Sequence, residues 1–174
     1  MRKYLIAGLT GVLTSVLALA GPAHASLDTD WDHFDNNAAA RWQFSYSGSS
    51  YSGGVNSTGA NGWLAEFASG SGWGSLGRSV YLWPVAYHST SCGMQINLRT
   101  TTAGQTSKVN VEVIRPADWT YLSLKQVTVG NTAVNVQVPP WVNGPSTVYF
   151  RVSLLGDTSA KVLQIDDLFW ACSY

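Results

Sequence analysis

The segments VNVEV (109–113) and VNVQV (134–138) alternate apolar and polar residues without a fault. Successive side chains of a strand point to opposite faces, so each segment suits a strand with one apolar and one polar side. Val109, Val111 and Val113 fall on one face, with Lys108, Asn110 and Glu112 on the other; Val134, Val136 and Val138 oppose Asn135 and Gln137. Such strands need a second sheet to cover their apolar faces. No stretch carries a helical period. RWQFSY, WLAEFAS, RSVYLWP, CGMQINLRTT, SKVNVEVIR, TYLSLKQVTV, AVNVQVP, STVYFRVSLL and KVLQIDDLFWAC read as nine short strands between Gly, Asn, Ser and Pro turns. The expected fold is all-β, two antiparallel sheets packed as a jelly-roll β-sandwich. Residues 47–62 read as a long loop, and Gly70 to Gly77 as a glycine-rich loop carrying Trp73.

The N-terminus has a different character. Arg2 and Lys3 precede an uncharged run from Leu5 to Ala20, followed by Gly21-Pro22 and the triplet Ala23-His24-Ala25. A basic start, an apolar stretch and an A-x-A site describe a secretory signal peptide over residues 1–25. The run is short for a membrane span, and Pro22 breaks its exit side. Cleavage after Ala25 would leave 149 of the 174 residues, 26–174, as a single β-sandwich domain of extracellular location. Losing Arg2 and Lys3 leaves eight basic and ten acidic residues, a formal charge of −2 without clusters. Nucleic acid is therefore not an expected partner.

Export places Cys92 and Cys172 in an oxidising compartment, where a disulfide is the expected pairing. All eight Trp and seven of the eight Tyr belong to the mature part, among many Gly, Ser, Thr and Asn. Much Trp and Tyr with little charge suits a surface that meets neutral, hydroxyl-rich ligands, although cores use aromatics too. The candidates for stacking on sugar rings are Trp73, Trp63, Tyr51, Tyr87, Trp83 and Trp141, each next to a loop, turn or proline. Asn110, Glu112, Asn135 and Gln137 are the alternative if a sheet face binds.

Other chemistries find weaker support. GWGSLG (72–77) matches the dinucleotide fingerprint in letters, but a strand comes after it where that motif needs a helix. His33 and His88 are the histidines available to a nucleophile, and His88 beside Ser89 and Ser91 is adjacency in sequence, not triad geometry. Glycoside hydrolysis needs two carboxyls across one groove. Glu66 and Glu112, the sole glutamates, would have to serve, making a small secreted jelly-roll glycoside hydrolase or lyase the alternative. A secreted protein-binding or inhibitor domain is a second alternative.

The acidic residues raise a separate question. Asp166 and Asp167 sit back to back in the last strand, so alternation should send one of them inward. Asp28, Asp30, Asp32 and Asp35 lie near the mature N-terminus. First and last strands side by side would bring the two sets together, and a structural Ca2+ prefers such oxygens. Hydrogen-bonded or solvated aspartates are the alternative.

HFDNNAAARW, LGRSVYL, VNVEVIR, DWTYLSLKQVTV, TVYFRVSLL and VLQIDDLFW, in this order, resemble the plan of jelly-roll carbohydrate-binding modules with the galactose-binding-domain-like fold, families four, nine and twenty-two. The likeness runs from about Trp31 to Cys172. It implies a non-catalytic protein that binds neutral polysaccharide. It also implies that Asp166 is the main ligand of a structural calcium and that Asp35 stands in its second shell or is a further ligand, with Trp119 packing at the start of a core strand.

Overall fold

The computed structural model describes residues 27–34, 41–47, 51–57, 64–69, 73–86, 91–101, 104–142, 144–155 and 162–174, with backbone alone at 28, 46–47, 51–57, 64–69 and 84. Among the described residues, eleven strands form: β1 (Leu27–Asp32), β2 (Gln43–Ser47), β3 (Tyr51–Ser57), β4 (Leu64–Ser69), β5 (Trp73–Tyr81), β6 (Ser91–Thr100), β7 (Ser107–Arg115), β8 (Thr120–Val129), β9 (Val134–Val142), β10 (Thr147–Leu155) and β11 (Leu163–Ser173). One sheet runs β3-β4-β11-β6-β9 with β1 also on β11; the other runs β2-β5-β10-β7-β8. All pairings are antiparallel. This is the expected sandwich.

The alternation that defines VNVEV also defines the core. Val109, Val111 and Val113 are fully buried between the sheets, with Leu76, Phe150, Val152 and Leu154 of the same sheet and Ile96, Leu98, Ile165 and Leu168 of the other. Cys92 and Cys172 stand opposite each other on β6 and β11 and are disulfide-bonded. A bridge across a sequence separation of 80 is worth about 4 kcal/mol in the chain-entropy model.

Two loop expectations are corrected. Tyr51–Ser57, read as loop, is strand β3 on β4, and Trp73 begins strand β5 instead of riding in a glycine loop. Gly77 has a local reason: a Cβ there would overlap the Tyr149 ring, which lies across it from β10. Glycine at this position lets an aromatic side chain lie against the strand.

The paired aspartates also behave differently from simple alternation. β11 carries a bulge between Asp166 and Phe169, and Asp167 adopts φ 47°, the left-handed region that Asp tolerates better than most residues. The extra residue lets Ile165 and Leu168 both point into the core while Asp166 and Asp167 stay half-buried at the outer side. Neither carboxylate enters the core. The bulge lies where β11 changes neighbour, from β4 at Ile165 to β1 at Leu168 to Ser173.

Among the described residues, the carboxylate between the sheets is Asp32, at the end of β1. It accepts hydrogen bonds from Arg41 Nη2 (2.8 Å), Trp42 Nε1 (2.9 Å) and the Phe34 amide (2.9 Å), and it pairs with Arg78. Burial alone would raise its pKa; the Arg41, Trp42 and Phe34 bonds and the Arg78 charge outweigh that and hold it below the ordinary carboxylate value. Arg78 in turn lies over the rings of Trp42 and Trp170, 5.7 Å from each centroid. Asp32 therefore ties β1, the segment before β2 and β5 into one unit.

Candidate functional site

The outer face of the five-stranded sheet is organised in rows set by strand register. Gln43, Gly77, Arg151, Glu112 and Leu124 stand side by side across β2, β5, β10, β7 and β8. The next row is Ser45, Ser75, Ser153, Asn110 and Gln126, hydroxyls and amides throughout. Trp73 and Leu155 pair at one border. On the other side of the Arg151 row, Tyr149 pairs with Ile114, which pairs with Tyr121. A depression of about 270 Å³ opens over these rows, walled by Trp73, Leu155 and Tyr121 and floored by Asn110, Glu112, Arg151 and Ser153.

The floor is held by an ion pair. Glu112 is 2% exposed at its side chain and accepts hydrogen bonds from Arg151 Nε and from Ser153 Oγ (3.2 Å). Arg151 Nη2 also donates to Tyr121 Oη at 3.3 Å, and Gln126 Nε2 donates to Asn110 Oδ1 at 3.0 Å. Burial would lower the Arg151 pKa, but the hydrogen bond and charge of Glu112 outweigh it, so the guanidinium is held in its protonated form. Burial raises the Tyr149 phenol above its ordinary value, against the opposing charge of Arg151. The result is a surface of fixed donors and acceptors in which the buried negative charge of Glu112 is neutralised.

A strained turn supplies a further aromatic beside this face. Pro116–Trp119 connects β7 to β8; Trp119 has φ 58° and its amide donates to the Arg115 carbonyl at 2.9 Å. Asp118 Oδ1 accepts from Thr120 Oγ1 (2.8 Å) and the Thr120 amide (3.2 Å), bonds that hold its carboxyl below the ordinary value and lock the turn. Trp119 stands 59% exposed with its ring edge-on to Tyr149. The expectation that Trp119 packs at the start of a core strand is corrected: it immediately precedes β8, but a left-handed turn carries it out of the sheet.

The structure separates the sequence candidates. Trp73 is 38% exposed and walls the depression, and Asn110 and Glu112 floor it. Trp83 is 61% exposed, but it lies past the far end of β5, edge-on to Tyr81. Trp141 is 4% exposed and corrected to core: β9 bulges at Pro139–Pro140, which turns Trp141 back between the sheets beside Phe150. Asn135 and Gln137 belong to β9 of the other sheet, so they cannot share a floor with Asn110 and Glu112. Trp63, Tyr87 and Asp35 lie outside the described residues, as does the Tyr51 side chain. Glu66 is on β4, in the other sheet from Glu112, and Glu112 is already engaged by Arg151. Among the described residues lining the depression Glu112 is the one carboxylate. Tyr121, Tyr149, Arg151 and Ser153 carry no motif that marks them as candidates, though the alternation in TVYFRVSLL already separates the last three from Val148, Phe150 and Val152.

For calcium, Asp166 Oδ1 accepts the Asp167 amide hydrogen bond at 2.9 Å. Asp167 is taken by His33 Nδ1 (2.8 Å) and Asn97 Nδ2 (3.1 Å). Among the described residues no cluster of three or more His, Cys, Asp or Glu side chains could hold a metal. These residues do not by themselves form an oxygen cage.

No family model and no curated protein sequence matches the chain. Solved structures do. A family 11 carbohydrate-binding module of the cellulosomal cellulase Lic26A-Cel5E of Clostridium thermocellum aligns with TM-score 0.55 at 6% identity, over 84% of this chain and 95% of that one. The CBM22-1 xylan-binding domain of Paenibacillus barcinonensis Xyn10C gives 0.54 at 12%, over 84% and 96%. A structure described as CBM4 gives 0.54 at 16%, over 77% and 92%. The chain thus has the jelly-roll fold of carbohydrate-binding modules, in line with the resemblance read from its strands. At these identities the likeness is one of fold.

Proposed function

We propose that this is an exported protein whose mature part binds a neutral polysaccharide, without cleaving it, in the depression on the outer face of the five-stranded sheet. The observation that carries the reading is the composition of that face: serine, asparagine and glutamine side chains in register, between Trp73 on one side and the Tyr121–Tyr149 side on the other. Aromatic rings stack on the C–H faces of pyranoses, and amides and hydroxyls exchange hydrogen bonds with sugar hydroxyls directly or through water. The fold-level similarity to a xylan-binding domain supports the same ligand class. A Glu112 engaged by Arg151 favours binding over acid–base chemistry, because a glycosidase needs two carboxyls facing one groove about 5–9 Å apart.

Depletion of residues 26–174 from solution by insoluble xylan, cellulose, chitin, mannan and β-glucan tests this. Retention on one polymer without new reducing ends is the expected result. Release of sugar would replace the reading by hydrolysis and move attention to Glu66 and Glu112. Failure on every polymer would leave a protein partner as the ligand of the exposed aromatics. A calcium ion shared by Asp166 and Asp35 belongs to the same proposal, tested by a chelator-dependent fall in Tm that Asp166→Ala abolishes.

A further inference from the structure

The opposite face of the sandwich carries a second surface, remote from the depression. Trp31 on β1 is 47% exposed, yet its ring is packed between two others. Its ring stacks on His33 at 5.3 Å with an 8° interplanar angle and packs on Phe169 of β11 at 4.4 Å. His33 is pinned by Asp167, Asp167 by Asn97, and Asn97 accepts from Asn135 Nδ2 at 2.9 Å. The left-handed Asp167 of the β11 bulge is thus the anchor of a polar chain that runs across three strands and fixes an exposed indole.

Phe169 is also one wall of a trough of about 250 Å³ across β11, β6 and β9. Gly93 and Ala171, a register pair, make its floor; Pro140 bounds the far side; Gln95 and Gln137, another register pair, line it beside Phe169. Small residues on the floor let a flat ring sink between an aromatic wall and a proline wall. The amides present both donors and acceptors, and the carboxylate of the neighbouring polar chain, Asp167, is already met by His33 and Asn97. Holding a Trp exposed in a single orientation costs rotamer entropy and leaves apolar surface in water. Ring-stacking on a ligand offsets both.

We infer that this trough, with Trp31 and Phe169 as its aromatic side, is a second binding site for a neutral chain of pyranose units, making the protein able to hold two glycan strands on opposite faces. The ligand class rests on the proposed function; the location does not. A neutral glycan fits better than an anionic partner because, among the described residues, no cation lines the trough.

Gly93 supplies a test that spares the fold, since a Cβ added there meets nothing within 4 Å. Cellohexaose and xylohexaose would each be titrated into isotope-labelled wild type and Gly93→Leu, tracking backbone amides and the side-chain amides of Gln95, Gln137 and Asn110 by NMR. The expected result is two independent sets of shifts, one around Asn110 and Trp73 and one around Gly93, Gln95 and Gln137. Gly93→Leu should weaken the second by at least about tenfold and leave the first unchanged. Trp31→Ala should do the same by removing the stacking ring. Shifts confined to the Asn110 side, or a second set that ignores both substitutions, overturn the inference while the proposed function stands. Shifts on the trough alone support the second site and overturn the first. No shifts on the trough with either hexaose overturn the second site; the first site falls as well when none of the five polymers retains the protein.

Discussion

Two buried carboxylates, Asp32 and Glu112, have similar local chemistry and opposite positions. Each is almost inaccessible and each is paired with arginine. Asp32 lies between the sheets, and its partners Arg41, Trp42 and Arg78 bring three separate segments together. Glu112 lies on the outer side of one sheet, and its partners Arg151 and Ser153 are neighbours on the adjacent strand. The first pairing holds the architecture. The second fixes side chains of a surface that the strands would have built anyway, at the bottom of a depression open to ligand.

The comparison predicts which of the two the fold depends on. Asp32→Asn keeps the shape but leaves Arg78, 18% exposed at its side chain, facing a neutral amide. A broken buried pair costs about 3–5 kcal/mol, and in a chain of this size that lowers Tm by roughly 10 °C. Equilibrium unfolding would measure it, and a loss below about 1 kcal/mol would break the comparison at its stronger end. The same residue sets an acid limit. Its folded pKa lies below the unfolded one, so its stabilisation is complete above the ordinary value of 3.8 and is lost as pH falls through the folded value. Below about pH 4 the wild type should lose stability faster than Asp32→Asn.

Glu112→Gln should cost less, about 2 kcal/mol, because Arg151 borders the open depression and can turn toward water. It should also weaken polysaccharide retention, which Asp32→Asn leaves intact in folded protein; affinity electrophoresis beside a thermal melt separates the two effects. Trp73→Ala should shift stability by no more than about 0.5 kcal/mol, being at an exposed strand end. It should still remove about 1 kcal/mol of binding, roughly a fivefold loss, if the ring stacks on sugar. Trp83→Ala has the smallest expected effect. Trp73 and Tyr81 stand at opposite ends of β5, about 26 Å apart along the strand, and Trp83 lies beyond Tyr81. Affinity for the depression's ligand should not change, and a loss equal to that of Trp73→Ala would move the site to the loops.

The fold is largely legible in the chain because burial has a period of two. Val109, Val111, Val113, Val136 and Val138 all face inward as their spacing requires. The disulfide and the neighbourhood of first and last strands are legible as well. What periodicity cannot see is an inserted residue. The bulges at Asp166–Asp167 and Pro139–Pro140 each reverse the expected side of the residues after them, keeping an aspartate out of the core and returning Trp141 to it. Nor does alternation say which sheet a strand joins, so it groups Asn135 with Asn110 although the two occupy opposite faces. Trp119 escapes the pattern because its exposure depends on one left-handed backbone angle, set by Asp118 and Thr120 and carrying no sequence period.

A sandwich of regular, valine-rich strands has a hidden ambiguity: a slip of two residues keeps every side chain on its proper face and sacrifices little more than strand ends. β11 escapes it. Its irregular step, with a left-handed aspartate that His33 and Asn97 must both reach, matches β1 and β6 in one alignment alone. The paired aspartates work as an index mark, by which the closing strand of the sandwich tells its neighbours where zero is.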